Sequence, residues 1–311
     1  MSTADLPLAE ALVHRPALVV GGGRMGLAIA HILAAAGMLV TVVEPSPGIV
    51  EAAPERLRQI SRARGLDEAI AGRVTYIAAI EDVGGEIGIA IEAAPENLDL
   101  KRDIFRRLEV ACSPDTILAT NTSVIPIARI AVDVSRRARI VGTHFWNPPY
   151  AVRLVEVIQA VETSDETVHQ TMALLAEVGQ RPVHVWKDIP GFIGNRLQHA
   201  LKREAIALVQ AGVCDAETID TVVKDSFGAR LGIMGPLEQS DLVGLALTLA
   251  IHETILPDLD VSRAPQKLLV DLVAAGDTGA KTGRGFRSWS PEERVELEQR
   301  LDRALLGKAG T

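Results

Sequence analysis

The chain has 311 residues, of which 48% are hydrophobic, and its 40 acidic and 32 basic residues give a net charge of −8 at pH 7. This size favours two hydrophobic cores over one, and the negative charge argues against nucleic acid as a partner. Cys112 and Cys214 lie too far apart to form a zinc-ligand spacing or a disulfide framework. We therefore expect a reduced protein without a bound metal.

The N-terminal segment and the stretch from Leu27 to Val43 decide the expected location. The first 14 residues lack a basic region followed by an apolar run, so they do not resemble a secretion signal. The stretch at 27–43 is long enough to span a membrane, but Gly37 divides it into a helix pattern and a strand pattern. We expect a cytoplasmic protein with no membrane partner.

Apolar segments alternate with helix patterns up to about residue 186. Strands are predicted at 17–20, 39–43, 74–78, 87–91, 116–119, 139–142 and 154–158. Helices are predicted at 27–36, 48–64, 99–111 and 125–134. This alternation is typical of a Rossmann-type α/β domain, a doubly wound parallel sheet with helices on both faces, which we place at residues 1–186.

After Pro190-Gly191 the strand patterns stop. Apolar periodicity predicts helices at 192–211, 215–225, 237–255, 263–275 and 290–306. We therefore predict an all-helical C-terminal domain over residues 187–311 for substrate binding and dimerisation. Its helices carry more apolar surface than a small domain can cover, which predicts a homodimer joined through them.

A glycine-rich loop follows the first predicted strand. Gly21, Gly23 and Gly26 form G-x-G-x-x-G, with Arg24 and Met25 inside the pattern. The glycines permit a tight turn and a close approach of the backbone to a pyrophosphate, which the N-terminus of the next helix stabilises. Between a strand and a helix, this pattern predicts a dinucleotide site rather than a plain structural turn.

Glu44 closes the next strand, eighteen residues after Gly26. A carboxylate there accepts hydrogen bonds from ribose hydroxyls and repels a 2′-phosphate, and residues 45–47 offer no arginine to hold one. NAD is therefore the predicted cofactor, although a solvated carboxylate that merely ends a strand is the alternative.

His144 follows the predicted strand at 139–142, and Glu156 lies twelve residues later, in the predicted strand at 154–158. A buried carboxylate that hydrogen-bonds one imidazole nitrogen orients the ring for proton transfer near neutral pH. The tyrosine mechanism of short-chain reductases is excluded, because neither Tyr76 nor Tyr150 has a lysine four residues later. Two isolated cysteines exclude a zinc alcohol dehydrogenase and disfavour a thiol-dependent aldehyde dehydrogenase, which leaves His144 as the candidate base.

Six separate motifs follow one another along the chain, at 91–101, 120–123, 143–157, 190–196, 234–238 and 281–286. Their sequences and their order resemble those of the L-3-hydroxyacyl-CoA dehydrogenase family. The resemblance covers nearly the whole chain and implies a role in fatty acid metabolism. The related 6-phosphogluconate and 3-hydroxyisobutyrate type is disfavoured, since no lysine stands just before Asn195.

The resemblance implies that His144 accepts the substrate hydroxyl proton while Glu156 holds the imidazole. It implies that Ser123 and Asn195 hydrogen-bond the reacting oxygen. It also implies that four further residues lie along the cofactor: Glu96, Lys101, Asn147 and Lys281. From the residues alone, Glu96 and Lys101 could be solvated helix-start charges, Ser123 a cap and Asn195 a satisfied amide.

The match departs from the acyl-CoA enzymes after Glu44, where they carry a long, lysine-rich helical excursion. Here only about thirty residues separate Glu44 from Val74, and their basic residues are Arg56, Arg58, Arg62 and Arg64. These arginines could bind a CoA phosphate or form a solvated helix face.

Other features resemble members of the family that act on small free acids, such as L-carnitine and L-gulonate dehydrogenases and a pyridine-carboxylate aldehyde dehydrogenase. They include Trp146 and the Ser-Pro-Glu-Glu start of the last helix. Arg153 could pair with a substrate carboxylate or stand exposed at a strand edge.

Three functions follow from the sequence. The first is NAD-dependent oxidation of a 3-hydroxyacyl-CoA thioester, or reduction of its ketone. The second keeps the chemistry but takes a small hydroxy acid or aldehyde acid. The third is a non-catalytic NAD-binding protein, because a lens crystallin resembles this family; His144, Glu156, Ser123 and Asn195 argue against it.

Overall fold

The computed structural model describes residues 12–309. They divide into two compact units: the first runs to Arg196 and includes the residues from Leu301 onward, and the second is Leu197–Arg300. The division therefore lies ten residues after the expected boundary at 186. The reason is that the amides of Ile193 and Gly194, at the start of the following helix, hydrogen-bond Glu156 of the sheet. The end of the last helix also groups with the first unit.

The first unit contains one eight-stranded sheet. Its strands are β1 (Ala17–Val20), β2 (Val40–Val43), β3 (Val74–Ile77), β4 (Ile89–Glu92), β5 (Ile117–Thr120), β6 (Ile140–Phe145), β7 (Leu154–Ile158) and β8 (Arg181–Val185). They lie in the order β3-β2-β1-β4-β5-β6-β7-β8. β1 to β6 are parallel, β7 pairs antiparallel with β6, and β8 is parallel to β7. The Rossmann-type fold class is confirmed, with the last two strands reversed.

Helices cover both faces of this sheet. They are α1 (Arg24–Ala35), α2 (Pro47–Arg64), α3 (Leu98–Ala111), α4 (Ile127–Ile130) and α5 (Asp165–Glu177). α1, α2 and α5 share one buried core with one set of strand side chains, and α3 and α4 share a second core with the alternate set. Because strand side chains alternate between faces, β1 to β7 contribute to both cores, whereas β8 contributes Val185 to the second core alone.

Sequence patterns missed two elements of the first unit. β8 contains Arg181, Pro182 and His184, which interrupt the apolar run that marks a buried strand. α5 begins with Ser164 as its cap and carries polar residues at most positions, so its apolar stripe is narrow. The predicted helix at 125–134 is shorter than expected, since it continues beyond α4 only as a 3-10 turn at Ala131–Asp133.

The second unit is helical, as predicted. Its helices are α6 (Gly194–Gln210), whose first turn belongs to the first unit, α7 (Ala216–Asp225), α8 (Phe227–Leu231), α9 (Pro236–Val243), α10 (Leu245–Ile255), α11 (Lys267–Ala274) and α12 (Pro291–Ala309), which ends in the first unit. The single helix expected at 237–255 is two helices, because Gly244 has a φ of 99° and interrupts the helical backbone. An apolar helix of bilayer-spanning length does not occur among residues 12–309.

Candidate active site

The glycine loop lies between β1 and α1. Gly21 has a φ of 106°, and a Cβ atom at Gly26 would lie only 1.8 Å from the Gly21 carbonyl oxygen, so the helix packs directly on the turn. A Cβ atom at Gly23 would meet nothing within 4 Å. The first amides of α1 are thus presented beside open space, which fits a pyrophosphate. Arg24 is exposed at the helix start, whereas Met25 packs against the core.

Glu44 is buried beside this loop. Its Oε2 accepts a hydrogen bond from the Gly22 amide at 2.8 Å, and its Oε1 accepts one from the Ser46 amide at 2.9 Å. Carboxylate oxygens have further lone pairs, so Glu44 can also accept from ribose hydroxyls. The residues present therefore fit NAD.

His144 and Glu156 lie directly opposite each other on β6 and β7. His144 Nδ1 and Glu156 Oε2 are 2.7 Å apart, and both side chains are almost fully buried. The antiparallel pairing of these strands brings the two side chains to the same face of the sheet. The reversed strand β7 is therefore the element that builds this pair.

The second oxygen of Glu156 binds the start of α6. Oε1 accepts hydrogen bonds from the amides of Ile193 and Gly194, each at 3.0 Å. Burial alone would raise the pKa of Glu156, but the hydrogen bonds from His144 and from these two amides lower it below its usual value. An ionised Glu156 accepts the Nδ1 proton of His144, which leaves Nε2 as the proton acceptor.

Two aromatic side chains pack on the imidazole of His144. The ring centroid of Trp146 lies 5.1 Å from that of His144, and the centroid of Phe192 lies 5.7 Å away. Phe192 is fully buried at a φ of 51°, a backbone conformation that non-glycine residues rarely adopt. A Cβ atom at Gly194 would lie 2.2 Å from Trp146, so this position needs glycine. The ring of His144 is thus held on two sides.

Ser123 and Asn195 lie next to each other. The side-chain amide of Asn195 donates to the main-chain carbonyl of Ser123 at 2.9 Å. Asn195 follows Gly194, whose amide binds Glu156. The structure therefore links all four predicted catalytic residues through short contacts at one edge of the sheet.

A buried ion pair that sequence reasoning missed lies beside this edge. Glu92 is fully buried and accepts from Lys101 Nζ at 2.7 Å, from the Ala94 amide at 2.7 Å and from the Thr120 hydroxyl at 2.6 Å. Lys101 was expected to contact the cofactor, but its side chain is only 1% exposed. Its burial follows from β4 ending in a carboxylate at the base of α3. The sequence signal was the charge of Glu92 inside an apolar strand.

Glu96 connects this ion pair to the loop of Ser123. Glu96 Oε2 lies 3.5 Å from Lys101 Nζ. Its Oε1 accepts from the Thr122 hydroxyl and from the Ser123 amide, the latter at 3.2 Å. Lys101 and Glu96 thus fix the backbone on which Ser123 stands.

The other three predicted site residues are Asn147, Lys281 and Arg153. Asn147 is exposed in the loop after β6, and Lys281 is exposed in a turn of the second unit. Arg153 lies two residues before Val155, which faces the core of α1 and α5. Because side chains alternate along a strand, Arg153 lies on the same face as Val155. Glu156 lies two residues before Ile158, which faces the other core, and His144 is paired with Glu156, so both lie on that second face. Arg153 therefore lies on the opposite face of the sheet from His144, and its placement does not support a contact with the reacting substrate.

A glycine loop for a dinucleotide and a buried histidine-carboxylate pair at the same edge of a sheet define the class of nicotinamide-dependent dehydrogenases. Among residues 12–309, no cluster of three or more His, Cys, Asp or Glu side chains could hold a metal ion.

The model of the 3-hydroxyacyl-CoA dehydrogenase NAD binding domain matches residues 17–189, and that of the C-terminal domain of the same enzyme matches residues 191–289. The chain belongs to the 3-hydroxyacyl-CoA dehydrogenase family, and it is an NAD-dependent dehydrogenase.

Individual relatives differ in their substrates. A 5-formyl-3-hydroxy-2-methylpyridine 4-carboxylate 5-dehydrogenase of Mesorhizobium japonicum is 33% identical, over 93% of this chain and 95% of its own. A probable 3-hydroxybutyryl-CoA dehydrogenase of Bacillus subtilis is 38% identical, over 86% of this chain and 95% of its own.

Solved structures show the same two groups. The crystal structure of the pyridine-carboxylate dehydrogenase, described as an NAD+ dependent dismutase, superposes with a TM-score of 0.88 at 32% identity over 94% of this chain and 97% of that one. The (S)-3-hydroxybutyryl-CoA dehydrogenase of Ralstonia eutropha gives a TM-score of 0.72 at 34% identity, over 89% and 99%.

Proposed function

We propose that the protein oxidises the alcohol of a small hydroxy acid, or an aldehyde acid, that is not attached to coenzyme A. The observation that carries the dehydrogenase mechanism is the 2.7 Å contact between His144 and Glu156. NAD, when bound, supplies the hydride acceptor. His144 Nε2 takes the hydroxyl proton of the alcohol, or that of the hydrate which an aldehyde forms with water, and Glu156 stabilises the imidazolium that forms.

Ser123 and Asn195 complete this proposed mechanism. Because the Asn195 amide is held by the Ser123 carbonyl, both side chains are fixed close to where α6 begins. We propose that they hydrogen-bond the substrate oxygen as its charge changes. Lys101 acts through Glu96 as a positioning residue for this loop, and Asn147, Lys281 and the start of α1 bind the cofactor.

The choice of a small acid rests on the arginines of α2. Arg58 lies 2.9 Å from Glu55, and Arg62 pairs with both Glu55 and Glu68. Carboxylates of the same segment already neutralise the charges of these two guanidinium groups. Arg58 and Arg62 are therefore less available to bind a CoA phosphate. The higher TM-score with the pyridine-carboxylate dehydrogenase supports the same choice.

A 3-hydroxyacyl-CoA thioester is the second candidate substrate. The 38% identity to a probable 3-hydroxybutyryl-CoA dehydrogenase favours it. The catalytic residues would act in the same way on either substrate. A role in fatty acid metabolism and a cytoplasmic location stay predictions.

The test is NADH formation by the purified protein on matched substrates. We would compare 3-hydroxybutyryl-CoA with free 3-hydroxybutyrate, with carnitine and gulonate beside them. Turnover of a free acid without inhibition by free coenzyme A is the expected result. Preference for the thioester would replace the first candidate by the second, and NAD binding without turnover of any substrate would contradict both.

A further inference from the structure

A second cavity lies in the first unit, on the sheet face opposite His144. It has a volume of about 290 Å³ and is formed by the end of α2, the loop before β7, the residues before β8 and the last turns of α12. Its polar lining residues are Arg64, Tyr150, Arg153 and Gln180, and Leu306 closes its apolar side. The mechanism proposed above uses none of these side chains.

Arg64 reaches this cavity without a carboxylate partner. Its Nη1 contacts His31 Nδ1 at 3.4 Å, and His31 Nε2 lies 2.8 Å from the Ser61 hydroxyl. Burial, together with the charge of Arg64, lowers the pKa of His31 to about 4. The imidazole is therefore neutral, donates from Nε2 and accepts at Nδ1. It orients the guanidinium of Arg64 without neutralising it.

Arg153 is held in the same manner. Its Nε donates to the main-chain carbonyl of Gly179 at 2.9 Å, which again is a neutral acceptor. Among residues 12–309, neither Arg64 nor Arg153 forms a salt bridge, whereas Arg58 and Arg62 on the same helix as Arg64 both do. Two oriented guanidinium groups without a carboxylate partner thus line one cavity, Arg64 partly buried and Arg153 exposed. A bound anion would offset the cost of burying the charge of Arg64.

Two further polar groups line the cavity. Gln180 is 7% exposed, and its Oε1 is buried without a hydrogen-bond partner among the described residues. Tyr150 is half-buried; desolvation first, and the nearby carboxylate of Asp302 second, raise its pKa, which Arg24 partly offsets. The phenol is therefore protonated and can donate. Asp302 and Arg24 are the charged groups that act on Tyr150, and neither lines the cavity, whereas Arg64 and Arg153 do.

We propose that this cavity binds a small anion bearing a carboxylate or phosphate group, at a site separate from that of hydride transfer. The planar guanidinium groups of Arg64 and Arg153 hold its oxygens by paired hydrogen bonds. The Tyr150 hydroxyl donates a further one, and the Gln180 carbonyl accepts from a hydroxyl or amine of the ligand. The loop from Trp146 to Arg153 joins the strands of His144 and Glu156, so a ligand here contacts the segment that carries the catalytic pair.

The test is anion binding by the NAD-saturated protein, because saturation keeps anions away from the glycine loop. Inorganic phosphate, succinate and adenosine 3′,5′-bisphosphate are titrated at constant ionic strength, and the melting temperature and heat of binding are recorded. We expect a saturable rise in melting temperature with at least one of them. A response to the bisphosphate alone would identify the phosphate of a nucleotide such as coenzyme A as its source.

Matched variants locate the binding. Arg64→Gln and Arg153→Gln should each weaken it at least about tenfold, and Arg64→Lys should weaken it less, because it keeps the charge but loses the planar fork. Arg62→Gln and Arg181→Gln should bind as the wild type does. The starting melting temperature and NAD affinity report whether each variant is folded. No saturable response to any probe, or equal losses in the Arg64 and Arg62 variants, would overturn the proposal.

Discussion

The two units differ in how their apolar residues are covered. The first contains two buried clusters, one on each face of the sheet. In the second, Leu197–Arg300, Gln266 is the single buried residue, and large side chains such as Ile233 at 91% and Leu237 at 79% are exposed. Parallel strands and crossover helices enclose their own core. The helices of the second unit leave large apolar side chains exposed, a pattern that is typical of interfaces.

We therefore propose that the first unit is complete within one chain and that the second gains its core from a second copy. A homodimer interface resembles a domain core cut in half, which matches helices without buried residues. His144 and Glu156 belong to the first unit, so we expect their hydrogen bond not to depend on assembly. Four substitutions can break or sharpen this comparison.

Removing the buried cation of the first unit should have the largest effect. Lys101→Met leaves the carboxylate of Glu92 buried without its partner, which we expect to cost about 3–5 kcal/mol of unfolding free energy. Arg106→Met, on the same helix, removes an exposed pair with Asp103 and should cost about 1 kcal/mol or less. Urea unfolding measures the free energy of unfolding of both variants. Equal losses would contradict the claim that buried contacts stabilise this unit more than exposed ones do.

A charge on an exposed apolar helix of the second unit should separate the copies. Leu249→Glu on α10 places a carboxylate on a side chain that is 60% exposed. We expect the dimer dissociation constant to rise roughly 100-fold, as for a residue central to an interface. Val110→Glu, in the first unit and 88% exposed, is the control and should change nothing. Sedimentation of the wild type as a monomer at micromolar concentration would refute the comparison.

The acid stability of the first unit should depend on His31. Its pKa falls from 6.5 to about 4 on folding, so the unfolded chain is protonated first as the pH drops. The free energy of unfolding should therefore fall by roughly 2–3 kcal/mol as the pH is lowered from about 6.5 to about 4. His31→Gln should flatten this slope, whatever its own effect at neutral pH. An unchanged slope in urea unfolding from pH 7 to pH 4 would count against a neutral, buried His31.

The smallest effect concerns cofactor choice. Glu44→Gln removes the negative charge that repels a 2′-phosphate but keeps an oxygen for the Gly22 amide. We expect the preference for NAD over NADP to fall about tenfold, or about 1.4 kcal/mol, with assembly unchanged. Glu51→Gln, on the exposed side of α2, is the control. If titrations with NAD and NADP show an unchanged preference, Glu44 only holds the backbone of the glycine loop and does not select the cofactor.

The sequence allowed the fold class, the NAD fingerprint and the family to be predicted, and these are confirmed. The glycine spacing and the apolar strand runs are local patterns, which one sequence displays directly. The pairing of His144 with Glu156 was predicted too, from an imidazole and a carboxylate twelve residues apart and from the family resemblance, and the structure shows their contact. Their catalytic role stays a proposal.

Other features depend on register and on contacts distant in the chain. The side of the sheet on which Arg153 lies follows from the register of β7, which a polar residue before the strand does not reveal. The burial of Lys101, on α3, needs Glu92 at the end of β4, nine residues earlier. The joining of the last helix to the first unit follows from packing alone, because its pattern is amphipathic in either setting.

The central claim is that His144 takes the substrate proton, and the most direct measurement is turnover by His144→Gln on the preferred substrate. We expect kcat to fall about 10²–10⁴-fold, the usual contribution of a positioned general base, while NAD affinity and dimerisation stay unchanged. His169→Gln, which alters an exposed histidine of α5, should keep wild-type activity. A His144→Gln variant that binds NAD and turns over within about twofold of wild type, well outside that range, would contradict the claim.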